Sequence, residues 1–485
     1  MDNKNIKESI ELIDAHLKNE GISRRDAMKL FGVGGAAAML AGGTTTPLRA
    51  SSAKAKIVIV GGGLAGMSTA ARLTNSLDNP DITVIEPCDQ AVSYQPGQTL
   101  VAAGVYTDSD ILYKTADFVP TGVTMVNEKA VDFDPQNNTV TTASGKKIGY
   151  DYLIIAAGLK LAFNQIEGLG ITESITSRGD SSAVKKVIGK NGICSIYFGD
   201  GAVDTWTNMQ KFVEDAKSGK KVTGIFTDPH TPIKCGGAPK KIMYLTDARL
   251  REAGARDNAD LTFYPNGGAM FGVPEYHNAI QRQFESRNFK WNYRHNLVAV
   301  DPAKKIATFD KFWDEKGAWD EDLEEYTAVK KNEKVEVPFD FLHITPPMVA
   351  AEEIGKSAVG SDKGWVPVNQ ETLQHVKFKN VFALGDIAAV PMGKTGGSAR
   401  KQYKVVVENI IAMMEGKPLT SKYDGYTVCP LITSLGTVML AEFNWTAKPT
   451  PSFPLDPTQE RWIWWLLKVY ALKPMTQMGM LSGKA

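Results

Sequence analysis

Residues 57–66 read Ile-Val-Ile-Val-Gly-Gly-Gly-Leu-Ala-Gly, a β-branched apolar run that meets Gly61, Gly63 and Gly66 in G-x-G-x-x-G spacing. A helical stretch follows at 67–74, then a second apolar run at 82–85 that closes on Glu86. Strand, glycine turn, helix, strand and acid in that order predict a Rossmann βαβ unit built around a dinucleotide, with the acid about 20 residues after the glycines. Gly61 allows the tight turn, and Gly63 lets backbone N–H groups approach the pyrophosphate. Gly66 lets the helix pack on the strand, and the helix N-terminus favours phosphate charge. Glu86 is placed to accept hydrogen bonds from the adenosine ribose.

The whole chain bounds what such a unit can belong to. Its 485 residues leave room for two or three domains. The composition is that of a globular protein, 43% hydrophobic and 22% charged, and a net charge of +1 supplies no basic field for nucleic acid. No apolar run beyond residue 55 is long enough to span a membrane. Cys88, Cys194, Cys235 and Cys429 form no C-x-x-C pair, so neither a disulfide scaffold nor a metal site is expected. Ser23-Arg24-Arg25-Asp26-Ala27-Met28-Lys29 precedes an Ala/Gly-rich apolar stretch at 30–43 and a small-residue segment ending Ala53-Lys54-Ala55. That is the layout of a twin-arginine export signal, with Ala27 where such signals usually carry Phe. It predicts a periplasmic mature protein, exported already folded.

Five segments are expected: a signal peptide at 1–55, a first part of the dinucleotide domain at 56–164, a second Rossmann-like domain at 165–363, a return to the first domain at 364–430, and a C-terminal region at 431–485. Strands are read at 152–156, 193–198, 222–226, 261–264 and 381–384. The polar stretch 303–336 reads as an inserted surface hairpin. The fold class is α/β, with two Rossmann-like domains and a C-terminal amphipathic segment.

Three separated pieces line up: the glycine turn, Ile154-Ile155-Ala156-Ala157-Gly158, and Val381-Phe382-Ala383-Leu384-Gly385-Asp386. Together they resemble the two-dinucleotide-binding-domain flavoproteins, the disulfide-reductase-like group. That resemblance implies FAD, with Asp386 near the ribityl chain. Rarer strings narrow it: Glu86-Pro87 with Tyr94-Gln95-Pro96, Thr231-Pro232-Ile233-Lys234-Cys235-Gly236-Gly237-Ala238-Pro239, His343-Ile344-Thr345-Pro346-Pro347, Lys394-Thr395 and Tyr426-Thr427-Val428-Cys429-Pro430. They are similar to the sulfide:quinone oxidoreductases, in the branch that includes the mitochondrial enzyme, and the resemblance covers roughly residues 56–470.

The resemblance implies sulfide as substrate, quinone as electron acceptor, and a further sulfide or small thiol as sulfur acceptor. It also implies that Lys394 and Thr395 run beside the flavin. Cys235 lies in a Gly/Pro loop just before a helix, flanked by Lys234, Lys240 and Lys241, and both features favour thiolate over thiol. HS⁻ attack on a disulfide would leave one sulfur as persulfide and free the other as thiolate. In the mitochondrial branch a cysteine follows the Gly-Asp pair, and here that position is Ile387. Cys429 matches the partner's location in other branches, so Cys235 and Cys429 are the expected catalytic pair; Cys235 acting alone or with an external thiol stays open. Cys194 reads as core and Cys88 as a neighbour of the adenosine end. Glu167 and His343 are candidate proton carriers during quinone reduction, with a purely structural role as the alternative for each.

A pyridine nucleotide has no evident seat. The strand at 193–198 is followed by Gly199-Asp200-Gly201-Ala202-Val203-Asp204, which lacks a third glycine and brings two acids. The tail at 459–473, with Trp462, Trp464 and Trp465 among leucines and cations, suits a helix lying in a membrane interface where quinone could enter, the alternative being a helix packed on the domain core or on a second subunit. Three alternatives remain: a flavoprotein subunit handing electrons to a separate c-type cytochrome, a type II NADH dehydrogenase-like enzyme, and a non-catalytic flavin-binding protein. A homo-oligomer is compatible with all of them.

Overall fold

The apolar run at 57–60 becomes the centre of a parallel sheet. In the computed structural model, which describes residues 51–322 and 324–485, β1 (Lys56–Val60) leads into α1 (Leu64–Ser76), β2 (Asp81–Ile85), β3 (Thr124–Val126) and β4 (Tyr152–Ile155). Ile57 of β1 lies opposite Ile82 on one side and Tyr152 on the other. Strand Val381–Ala383 returns from far along the chain to pair with β4, giving the order Val381–Ala383, β4, β1, β2, β3. Residues 57–60 and 153–155 are buried on both faces, as near-continuous apolar strands of a covered parallel sheet must be. The export segment read at 1–55 lies outside the described residues, apart from 51–55.

A second parallel sheet is built from β5 (Ile193–Cys194), β6 (Val222–Thr227), β7 (Ala259–Tyr264), β8 (Lys290–Trp291) and β9 (Phe341–His343), in the order β5, β9, β6, β7, β8. Helices α2 (Gly199–Lys217) and α3 (Ala238–Glu252) follow β5 and β6. The strand expected at 193–198 pairs only over its first two residues. Beyond them the Ile196 N–H donates to His343 Nε2 (3.3 Å) instead of to a strand backbone. Residues 195–198 are therefore a buried loop, which their apolar character disguised as strand. The polar insertion is a long antiparallel hairpin, Ile306–Asp320 with Glu325–Pro338; Phe309 is buried at its base, while Trp319 and Tyr326 are exposed near its tip.

Strand Val381–Ala383, β10, precedes helix α4 (Gly396–Met414) and the antiparallel strands β11 (Thr427–Ser434) and β12 (Thr437–Phe443). β11 runs straight through the expected boundary at 430. Helix α5 (Trp462–Leu466) continues as irregular helical turns to Met480. Flat placement of this tail on a membrane does not describe its inner face. Ile463, Trp464, Leu467 and Val469 are buried against Leu100, Leu245, Ile432, Val438 and Leu440. Each such large side chain contributes roughly 1.5–3 kcal/mol when buried, so the tail is part of the core on one side and exposes Tyr470 and Met478 on the other. No helix among the described residues is long and apolar enough to cross a membrane.

Candidate active site

A cavity of about 1360 Å³ runs between the two sheets and the tail. It exceeds the ~300–1,000 Å³ usual for a small-molecule site. Its lining joins Gly61, Gly63, Glu86, Ala157, Gly158, Gly385, Asp386, Lys394 and Thr395, which the sequence scatters over five segments. The glycine turn is sterically specified: a Cβ on Gly66 would fall 1.9 Å from the Gly61 carbonyl oxygen, so only glycine lets α1 close on β1. The Gly61 N–H bonds the Ile85 carbonyl (2.9 Å), tying the turn to β2. Glu86 accepts from the Gly62 N–H (2.8 Å) and the Cys88 N–H (2.9 Å), and burial raises its pKa against the pull of these bonds. Each of its oxygens keeps a lone pair for a ribose hydroxyl. On the far side, the Gly385 N–H is fixed by Gln402 Oε1 (2.8 Å), and Gly158 adopts φ +67°. Glycine cradle, acid and long cavity fit a bound FAD.

The cysteine loop enters the same cavity. Cys235 has φ +52°, left-handed for a residue with a Cβ, and its N–H donates to the Lys394 carbonyl (3.0 Å). A strained backbone fixed from both sides is the kind found at reacting positions. This bond locks the sulfur loop to the segment beside Asp386. The loop then turns through Gly236 and Gly237 into α3, whose N-terminus favours an anionic sulfur. Cys429, on β11, lies against it. A Cβ on Gly237 would sit 2.4 Å from Cys429 Sγ, so the glycine makes room for the second thiol. Both cysteines are free thiols.

Two buried ammonium groups face this pair. Lys241 Nζ donates to Cys235 Sγ (3.5 Å). Lys468, from the tail, donates to the Pro96 carbonyl (2.6 Å) and lies 5.7 Å from the centre of the Tyr94 ring. The Cys429 thiol, hydrogen-bonding the Cys235 sulfur, holds the Cys235 pKa well below the ordinary thiol range; burial opposes this, and Lys241 and Lys468 reinforce it. Cys429 is correspondingly raised, by the same hydrogen bond and by burial. The pair thus gives up one proton easily and the second with difficulty, the charge resting on Cys235. Burial works against the Lys241 ammonium, yet the two sulfurs keep its pKa above the usual value. Lys468 is pushed down to about 7 by burial and by Lys241, with the sulfurs opposing.

Lys394 donates to the backbone carbonyls of Asp386 and Ala388 (3.2 Å for the latter) and lies 4.1 Å from the centre of the Trp365 ring. Burial lowers its pKa to about 8 while Asp386 pulls upward. Thr395 caps α4, its Oγ1 accepting from the Ser398 N–H (3.2 Å). Ile387 is fully buried. Cys194 is fully buried in β5, its thiol raised by burial, and Cys88 Sγ donates to the Arg178 carbonyl (2.9 Å).

The two proton-carrier candidates do not survive. Glu167 is exposed and outside the cavity, its backbone bonded to Val298 and Val300. His343 is fully buried, and burial pushes its pKa down to about 3, so it stays neutral through the physiological range. Sequence reasoning missed Lys468 and Tyr197. The first had a signal, a lysine one residue after Leu467 within an otherwise apolar helical stripe. Tyr197 is fully buried and lines the cavity; its hydroxyl has no hydrogen-bond partner among the described residues.

Two parallel sheets, a dinucleotide cradle on the first, and a cysteine pair formed by the Cys235 loop of the second with Cys429 of β11 define a disulfide-reductase-like flavoprotein with two dinucleotide-binding domains. The family described as pyridine nucleotide-disulphide oxidoreductase matches residues 55–189. The chain is 35% identical over 428 residues to the mitochondrial sulfide:quinone oxidoreductase of Mus musculus, covering 88% of this chain and 86% of that protein. It is 36% identical over 431 residues to the mitochondrial sulfide:quinone oxidoreductase of Dictyostelium discoideum, covering 88% and 86%. The solved sulfide:quinone oxidoreductase of the bacterium Aquifex aeolicus shares the fold, with a TM-score of 0.68 at 23% identity over 88% of this chain and 92% of that one. The chain belongs to the sulfide:quinone oxidoreductase family.

Proposed function

We propose that this protein oxidises sulfide to sulfane sulfur on Cys235 and delivers the electrons to quinone, with FAD as its cofactor. The observation that carries the reading is Cys235 in the same cavity as the glycine cradle, with the buried Cys429 thiol hydrogen-bonded to its sulfur and Lys241 and Lys468 beside it. In its disulfide form the pair is attacked by HS⁻. One S–S bond forms, the Cys235–Cys429 bond breaks, and the products are one persulfide and one thiolate. A buried thiolate needs countercharge; the Lys241 ammonium supplies it, and Lys468, with its pKa near 7, adds to it when protonated. A second sulfide or a small thiol then removes the outer sulfur and leaves the dithiol seen here. FAD, when bound, supplies the two-electron chemistry that returns the dithiol to disulfide and passes the electrons to quinone.

The experiment is anaerobic sulfide titration of the flavin spectrum of wild type, Cys235→Ser and Cys429→Ser, followed by a soluble quinone analogue. Bleaching and quinone-dependent recovery are expected in wild type only. Normal bleaching of Cys429→Ser would end the pairing but not the activity; recovery with cytochrome c but not quinone would move the acceptor to a separate cytochrome. An unchanged spectrum in wild type would leave only a flavin-binding role.

Peripheral membrane contact is proposed through the exposed side of the tail at Tyr470 and Met478. A periplasmic setting rests on the sequence layout of 23–55 alone, the arginine pair at 24–25 with the apolar and small-residue stretches that follow it. The mouse and Dictyostelium relatives are named mitochondrial and point elsewhere. Fractionation of the native cell decides the compartment.

A further inference from the structure

Arg178 is a buried cation whose guanidinium makes no hydrogen bond among the described residues, although Asp200 and Cys88 lie within electrostatic reach. Its Nε, Nη1 and Nη2 are all buried. The residue is nevertheless fixed from several directions. It follows the short strand Ile175–Thr176, which pairs with Lys160–Leu161 just beyond Gly158. Its carbonyl accepts from Cys88 Sγ (2.9 Å), and the Cys88 N–H in turn bonds Glu86. Neighbouring Ser177 accepts a hydrogen bond from Lys234, which also donates to Gln95 Oε1 (3.0 Å). A Cβ on Gly199 would fall 2.5 Å from Arg178 Nη1, so the guanidinium is tucked against the start of α2.

Nearby acids are otherwise engaged. Asp200 is held by Lys185 (3.3 Å), and both Glu86 oxygens take backbone N–H groups. Arg178 lines the cavity and links its two ends: its carbonyl is bonded by Cys88, two residues from Glu86, and the adjacent Ser177 is bonded by Lys234, the neighbour of Cys235. A guanidinium offers five donors in a planar fork, and burying it unpaired is costly unless an anion completes the site. The anion that lies between a ribose and a flavin is a diphosphate.

We propose that Arg178 binds the FAD diphosphate as a second phosphate-holding element beside the glycine turn. This rests on the FAD reading above.

The test is flavin release from the purified full-length holoenzyme, followed as the rise in free-flavin fluorescence after dilution at low and high salt. Arg178→Met, which keeps the stem and loses the charge, is expected to release flavin at least about tenfold faster, the size of one charge-assisted bond to phosphate. Arg178→Lys should fall between the two. Added salt should speed release from wild type and leave the Met variant almost unmoved. Equal release rates and full flavin content in Arg178→Met would overturn the proposal. If, in addition, that variant raised KM for a phosphorylated thiol acceptor and not for an unphosphorylated one, the anion would belong to the acceptor. A wild-type protein without flavin would instead sink the cofactor reading itself, so the two failures are distinguishable. Should the Met variant not fold, the Lys variant alone decides, because its release rate must still exceed that of wild type.

Discussion

The two parallel sheets of this protein end in the same kind of turn, yet only the first is shaped for a dinucleotide. In both, a glycine lets the following helix close on the end of the strand: a Cβ on Gly66 would meet the Gly61 carbonyl oxygen at 1.9 Å, and one on Gly201 the Ser195 carbonyl oxygen at 2.1 Å. The packing requirement is therefore shared. What differs is the stretch between strand and helix. In the first sheet it is Gly61-Gly62-Gly63, of which Gly61 and Gly63 line the cavity. In the second it is Ser195-Ile196-Tyr197-Phe198, filled by bulky side chains of which Ile196 and Tyr197 border the cavity, with the Ile196 N–H turned inward to His343. The Ile196 N–H is spent on His343 and the Gly199 N–H on the Ser177 carbonyl (3.3 Å), and Asp200 adds negative charge at the helix start. The second domain keeps the architecture of a nucleotide-binding domain and uses it to carry the Cys235 loop.

The largest effects should separate the two turns. Gly66→Ala forces Cβ against backbone that cannot yield, an overpacking cost of about 3 kcal/mol or more. It should abolish flavin binding together with much of the stability, measured as the flavin-to-protein absorbance ratio and a melting curve. Gly201→Ala should cost comparable stability, yet its folded fraction should still carry flavin. If the Gly201 variant also lost its flavin, the two turns would not be functionally distinct.

Next in size is Cys235→Ser. Flavin content should be normal and sulfide-dependent flavin reduction slower by at least ~10³-fold, as for loss of a reacting nucleophile. Reduction by millimolar NADH should be absent in wild type and variant alike, because the filled second turn offers no phosphate seat. Rapid NADH reduction in a stopped-flow trace would contradict that account of the second turn directly.

How much of this was legible depended on whether the determinants were local. Gly61, Gly63, Gly66 and Glu86 stand in one short segment, and their spacing alone carries the geometry. Cys235 was legible because its loop, its lysines and its helix are consecutive. Cys429 could be paired with it only through family resemblance, since nothing local says that β11 reaches α3. Lys468 was hidden by distance along the chain: it sits in a tail whose tryptophans suggested a membrane surface, while half of that tail fills the core. Residues 195–198 were misread for the opposite reason, because a buried loop and a buried strand demand the same apolar side chains. Arg178 carried no signal, being one cation in a Ser/Gly-rich polar stretch.

Smaller effects probe the charges around the sulfurs. Lys241→Met removes the ammonium that bonds Cys235 Sγ. The Cys235 pKa should rise toward the ordinary thiol range, shifting the acid limb of the kcat/KM profile to higher pH. A loss of roughly 10²-fold at neutral pH is expected, shrinking as the pH is raised. A uniform loss at every pH would mean that Lys241 only packs against the loop.

The smallest effect on turnover should come from His343→Gln, on the second sheet beside the filled turn. A histidine whose pKa lies near 3 in the folded protein is already neutral where the enzyme works, so kcat should change by less than about threefold and the pH profile should not move. Its influence lies in stability. The unfolded chain protonates this imidazole near pH 6.5 and the folded chain does not, so the neutral residue supports the fold above pH 6.5. That support is lost as the pH falls toward 3, at up to about 1.4 kcal/mol per pH unit. Glutamine cannot titrate, so melting temperatures of the variant should fall less steeply than those of wild type between pH 6.5 and 4. Parallel slopes would show that His343 is charged in the folded state and that the second turn is wetter than its packing implies.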